Sequence, residues 1–286
     1  MKIGVMVESF RKPFREGVLT AAKIGAQGIQ AYATGGPLYV DTVSDAQLKE
    51  ELDFVRSNGL VFSAICGDFG VGFTDPEKNM IYVEKSKRVL DLAKKLDCNI
   101  VTTHIGTVPV QENKTKEIMR AACRELALYA DSIGSAFAVE TGPELGSTLM
   151  EFLDSLGAGG VRVNFDPANL VMVAGDRPEN ALKYLGKYVV HTHAKDGIKL
   201  KASYEGDLSV SPQAKEHAAA AEMGRTYLEL PLGQGDVRFD TYLPALHETG
   251  FDGFLTIERE VGQNPVDDIV MAADFLRQKI QTFGYV

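Results

Sequence analysis

The amino-acid sequence predicts an α/β protein built as a single (β/α)8 TIM barrel, and three observations carry that expectation. Short apolar runs that end in polar residues alternate with longer segments of helical period. The alternation repeats eight times. Glycine-containing joints such as Ser57-Asn58-Gly59 and Glu248-Thr249-Gly250 stand where a helix should stop before the next strand. Eight successive strand–helix units imply right-handed parallel crossovers and favour closure into a barrel over an open doubly wound sheet. A dinucleotide-binding sheet would carry GxGxxG after its first strand, where this chain has Glu8-Ser9-Phe10-Arg11.

In chain order, the first half reads as strand Ile3–Val7 with helix Arg15–Ile24, Gly28–Tyr32 with Ala46–Ser57, Leu60–Ile65 with Glu77–Leu96, and Asn99–Thr103 with Lys114–Ile133. The second half reads as Ala136–Val139 with Gly146–Leu156, Val161–Phe165 with Pro178–Leu185, Tyr188–Thr192 with Asp240–Thr249, and Gly253–Ile257 with a last helix from Val266 to Thr282. The seventh unit is interrupted: residues 197–237 are far longer than an ordinary βα loop. Within them Ser211-Pro212 reads as an N-cap and first helical residue, Gln213–Met223 as an alanine-rich helix, and Gly224 as its stop. Because βα loops project from the face where barrel active sites lie, this insertion is expected to cover the mouth. The 286 residues (1–286) are read as one domain, since such barrels take about 250.

Composition narrows the function classes. A formal charge of −9 with scattered basic residues repels polyanions and excludes a nucleic-acid partner that would need a dense basic patch. Cys66, Cys98 and Cys123 share no metal or redox spacing and fit a reducing compartment. No apolar stretch reaches the length of a membrane span, and the short run after Met1 is no signal peptide, so the expectation is a soluble cytoplasmic protein without a membrane partner. A homo-oligomer is left open.

The chemistry gathers at the ends of the last four barrel strands: Ala138-Val139-Glu140, Asn164-Phe165-Asp166, His191-Thr192-His193 and Thr256-Ile257-Glu258. Four ligand-type residues thus fall at equivalent positions about one βα unit apart, the last gap enlarged by the insertion. Three carboxylates and an imidazole crowded at one mouth raise one another's proton affinity unless a cation neutralises them. A divalent metal ion held by Glu140, Asp166, His193 and Glu258 resolves the conflict. Oxygen-rich ligation with one imidazole suits manganese or magnesium first, with cobalt and zinc as alternatives.

These motifs, with His191-Thr192-His193-Ala194-Lys195-Asp196, Pro231-Leu232-Gly233-Gln234-Gly235 and Ile257-Glu258-Arg259-Glu260, resemble the sugar phosphate isomerase/epimerase family of xylose-isomerase-like barrels over nearly the whole chain. The resemblance implies a metal on the same four residues and a small carbohydrate substrate. The family also holds ketose 3-epimerases, inosose dehydratases and apurinic-site endonucleases. By comparison with the ketose 3-epimerases, Asn169 and Lys199 stand where that group has a sugar-binding His and Arg, so both are candidate substrate contacts.

Other candidates come from strand ends. His191, two residues before His193 on the same inward face, is expected beneath the metal in a supporting role. His104 ends the fourth strand and Glu8 the first, and each is a candidate for a substrate hydroxyl. Lys195 is expected to support the site, either pairing with Asp196 or aiming the imidazole. Glu144 stands where the next helix should begin, favoured there by the helix dipole, and Gly233 and Gly235 read as a rigid turn.

The expected function is a metal-dependent sugar isomerase or epimerase in which Glu140 and Glu258 exchange a proton at the carbon beside a carbonyl, the metal stabilising the charge that develops. The alternative is a dehydratase of the inosose type or another lyase acting on a keto-sugar or keto-polyol. An abasic-site nuclease is disfavoured by charge, and a non-catalytic sugar-binding barrel by the intact ligand set.

Overall fold

In a computed structural model that describes residues 1–200, 220 and 223–285, the apolar runs become strands. These are β1 (Lys2–Met6), β2 (Gly28–Tyr32), β3 (Val61–Cys66), β4 (Ile100–Thr103), β5 (Ala136–Glu140), β6 (Val161–Phe165), β7 (Val189–Ala194) and, after a hairpin of β8 (Asp196–Lys199) and β9 (Tyr227–Leu230), β10 (Phe254–Ile257). β1 to β7 and β10 pair in parallel and close on themselves, β1 lying between β10 and β2. Closure leaves no exposed sheet edge. The hairpin β8–β9 is antiparallel and stands outside the barrel sheet.

The helices are α1 (Phe14–Lys23), α2 (Asp45–Ser57), α3 (Pro76–Lys95), α4 (Lys114–Ser132), α5 (Gly146–Asp154), α6 (Pro178–Leu185), α7 (Phe239–Glu248) and α8 (Pro265–Phe283). Their starts are written in the sequence. Ser44 and Gln47 form a reciprocal capping box on α2, and Asp75 caps α3 ahead of Pro76. The glycine stops behave as expected, Gly59 at φ 75° and Gly250 at φ 86°, a left-handed region costly for other residues.

Each helix lays an apolar stripe on the barrel. Leu126, Ala127 and Ala130 of α4 and Leu149 and Phe152 of α5 are buried, as are the alternate strand residues Val101, Phe137, Val139 and Val163. Burying one side chain as large as Phe137 contributes about 1.5–3 kcal/mol, so the layer between strands and helices is the main source of stability. The inside of the barrel is different, because Gln30, Thr102, Asn164 and His191 are buried there as polar groups. No described helix is long and apolar enough to cross a membrane, and all three cysteines are free and buried.

The structure shifts several expected boundaries. β1 ends at Met6 and gives way to a 3-10 turn, Val7–Phe10, while β7 continues to Ala194. A short helical turn, Pro167–Asn169, and a wide turn, Leu170–Ala174, follow β6. The helix expected over Gln213–Met223 lies mostly outside the described residues. Gly224 is left-handed at φ 72°, and the N–H of Arg225 donates to the Ala220 carbonyl, the bond that closes a helix C-terminus.

Candidate metal centre

The two-residue period of a strand decides which side chains reach the barrel axis. On β7 it sends His191 and His193 inward and turns Thr192 outward, where its hydroxyl donates to the Phe254 carbonyl. Applied at β5, at the end of β6 and after β10, the same rule brings Glu140, Asp166 and Glu258 to His193, and one donor atom from each of the four lies within 4.8 Å of the others. His193 Nδ1 is 3.4 Å from Glu258 Oε2, 3.5 Å from Glu140 Oε2 and 3.8 Å from Asp166 Oδ2.

These separations fit a shared cation. Donors about 2.0–2.4 Å from one ion stand roughly 3–4.8 Å from each other. Asp166 Oδ2 and His193 Nδ1 are buried and find no hydrogen-bond partner among the described residues, a costly state that coordination would relieve.

Local structure aims each donor. Asp166 is the N-cap of the turn that begins at Pro167: its Oδ1 accepts the N–H groups of Ala168 at 2.7 Å and Asn169 at 3.1 Å, which leaves Oδ2 facing the cluster. The Thr141 hydroxyl accepts the Asp166 N–H and donates to its carbonyl. Gln30 Oε1, which can only accept, lies 3.2 Å from His193 Nε2 and 2.9 Å from His191 Nε2, while Gln30 Nε2 donates to Thr102. The Gln30 carbonyl thus favours a proton on Nε2 of each imidazole, and His193 turns its Nδ1 to the carboxylates. Asn164 donates to Glu140 Oε2 and Asn169 to Glu140 Oε1. Lys195 donates to Glu258 Oε2 at 2.9 Å.

Burial pushes the His193 imidazole down, and the carboxylates of Glu258 and Glu140 override it, holding it well above its usual range in the metal-free chain. The carboxylates that favour a proton on His193 are those that would hold a cation, and a metal bound at Nδ1 would take the place of that proton. Burial opposes ionisation of Glu258, but Lys195 and His193 bring it to about 2. The Lys195 ammonium is itself lodged between Glu258, Glu260 and Glu229. Glu229 also takes Arg259 at 2.7 Å, and Arg259 reaches Asp268 at 2.8 Å. A chain of ion pairs thus ties β9 to the segment after Glu258.

A cavity of about 520 Å3 opens over the cluster. His104, Asn169 and Lys195 line it, as do Asp68, Tyr32 and Tyr227. His104 Nδ1 lies 2.8 Å from Asp68 Oδ2 and its Nε2 3.4 Å from Glu140 Oε1. Glu140, opposed by burial and aided by Asp68, raises the imidazole to about 11. His191 lies beneath the cavity, fully buried, and burial lowers it to about 3. Tyr227, on the described part of the insertion, reaches the mouth.

Four expectations are corrected. Glu8 does not line the cavity: the strand ends at Met6, the 3-10 turn breaks the inward alternation, and Glu8 Oε1 instead accepts the Tyr32 N–H at 3.0 Å. Lys199 is exposed and its ammonium lies 3.5 Å from the Val173 carbonyl, because β8 departs from the mouth in an antiparallel hairpin. Asp196 does not pair with Lys195; it accepts the N–H groups of Gly197, Gly233, Gly235 and Val237, and a Cβ on Gly235 would stand 2.2 Å from its Oδ1. Glu144 is not in a helix, since α5 starts at Gly146; it is buried and its Oε2 accepts the Val108 N–H at 3.4 Å.

Sequence reasoning missed Gln30, Asn164, Asp68, Glu229 and Tyr227. Gln30 and Asn164 carried a signal, an amide inside an apolar strand run, which is costly unless it serves a polar interior. Asp68, Glu229 and Tyr227 carried none, since loop or hairpin geometry brings them in.

A family model described as xylose isomerase-like TIM barrel matches residues 18–279. Among solved structures, the chain is similar to a xylose isomerase domain protein from Planctomyces limnophilus, 24% identical with a TM-score of 0.80 over 100% of this chain and 98% of that one. It is similar to a probable 3-DHS dehydratase of Bacillus anthracis involved in petrobactin synthesis, 20% identical with a TM-score of 0.73 over 97% and 99%. It is also similar to a D-psicose 3-epimerase from Clostridium cellulolyticum H10 solved with D-tagatose, 16% identical with a TM-score of 0.71 over 98% and 99%. At these identities the likeness is one of fold.

Proposed function

Since the chain belongs to the xylose isomerase-like TIM barrel family, we propose that it is a metal-dependent isomerase or epimerase of a small carbohydrate, working by proton transfer at a carbon beside a carbonyl. The observation that carries this reading is the pair Glu140 and Glu258, two carboxylates that line one cavity, each within 3.5 Å of the same His193 Nδ1. A divalent metal held by Glu140, Asp166, His193 and Glu258 would polarise a carbonyl oxygen and stabilise the negative charge that develops beside it. Manganese or magnesium suits three carboxylates and one imidazole.

Glu140 and Glu258 supply the base and the acid: one removes the proton and the other returns it, which inversion at carbon requires. Asn164 and Asn169 hold the Glu140 carboxylate in place, and Lys195 holds that of Glu258. His104, fixed by Asp68 and facing the cavity, donates a hydrogen bond to a substrate hydroxyl. A second reading, loss of water from a keto-polyol, uses the same base and is favoured by His104, whose protonated ring can assist a departing hydroxyl.

The test is turnover of ketoses, inososes and keto-glycosides in deuterated water with added manganese. Epimerisation or isomerisation should place solvent deuterium at the altered carbon, and elimination should instead give a product lighter by water. Glu140→Gln and Glu258→Gln variants that still bind metal should each lose most turnover, by about 10²-fold or more. Full retention of the substrate hydrogen would refute proton transfer.

A further inference from the structure

Beside the cavity over the carboxylate–imidazole cluster lies a second of about 460 Å3, and Asn169, Lys195, Tyr227 and Glu260 line both. Either volume alone falls in the range of about 300–1,000 Å3 that accommodates a drug-sized ligand, and a single hexose is smaller than such a ligand. Resting on the reading of the first cavity as the place of a ketose end, we infer that the two cavities are subsites of one substrate: a ketose end at the cluster and an uncharged glycosyl unit, joined to it, in the second cavity.

The lining of the second cavity argues for a sugar ring rather than an ionised group. Met172, Leu228 and Val261 give it an apolar wall. Tyr227, 46% exposed at the junction, presents an aromatic face suited to the C–H side of a pyranose, leaving hydroxyls to polar neighbours such as Thr226. The buried charges there are already committed. Lys195 lies between Glu258, Glu260 and Glu229, and Glu229 also holds Arg259. Arg225, the lining cation outside that network, stands exposed, where contact with a phosphate would be screened by water.

The experiment compares equilibrium binding of fructose, of ketose-terminated disaccharides carrying glucose or galactose on different fructose hydroxyls, and of fructose 6-phosphate to the manganese-loaded protein by calorimetry. At least one disaccharide should bind about tenfold more tightly than fructose, the upper range of one added aromatic contact. Thr226→Trp, an exposed position that lines only the second cavity, should abolish that gain while leaving fructose binding and melting temperature unchanged. Equal binding of fructose and every disaccharide, a gain that survives Thr226→Trp, or a larger gain for the phosphate would each overturn the inference. Because binding is read without turnover, failure of the proposed reaction appears separately, in the deuterium experiment.

Discussion

Replacing Glu144 by Gln should stabilise the protein above neutral pH and change little in mild acid. Glu144 is 8% exposed, and burial lifts its carboxyl from 4.5 to about 7, against weaker help from the Val108 N–H. Below pH 4.5 the group is protonated both folded and unfolded, so it contributes no penalty. As pH rises from 4.5 through about 7, the unfolded chain ionises while the folded chain holds its proton, and stability is lost progressively. At about 1.4 kcal/mol per pH unit of difference, the loss amounts to about 3 kcal/mol above pH 7. Gln keeps an acceptor for Val108 and removes the ionisation, though it must place a new amide N–H2, which trims the gain to about 2 kcal/mol. Urea unfolding of both proteins at pH 5 and pH 8 reads the difference directly. An identical pH dependence in the two would show that Glu144 ionises as freely folded as unfolded, and the burial argument would fall.

Two further outcomes follow from the site. His193→Ala should remove most manganese binding measured by calorimetry, whereas His191→Ala should weaken it by less than about tenfold and Gln30→Leu by about 10–100-fold, since Gln30 orients the ligand ring; equal losses at both histidines would mean that both ligate. Glu229→Ala should lower stability to urea by about 1.5–3 kcal/mol because it removes the carboxylate that Arg259 and Lys195 share, leaving Arg259 to Asp268 and Lys195 to Glu258 and Glu260, and a loss under about 1 kcal/mol would mean that the ion-pair chain is open to water.

The barrel was legible because periodicity is local. Runs such as Ile29 to Ala31 and helices such as Lys114–Ser132 declare their type from neighbouring residues, and eight units in succession leave few topologies. The cluster was legible for a related reason: strand ends in a parallel barrel lie on one rim, so Glu140, Asp166, His193 and Glu258 meet once their strands are placed. What failed depended on how the chain leaves a strand. Glu8 was misplaced when β1 stopped one residue early, because a single step reverses the side-chain direction. Lys199 was misplaced by a hairpin whose direction no local pattern announces. Only the tertiary structure joined Glu229 to Arg259 and Asp68 to His104, since those contacts depend on how the hairpin β8–β9 and the loop after β3 pack against residues distant in the chain. The sequence by itself determined the barrel and the four residues that cluster at its rim, which follow from repeating local patterns; the folded chain decided their aim, their proton affinities and the shape of the cavity, which depend on contacts between residues far apart in the chain.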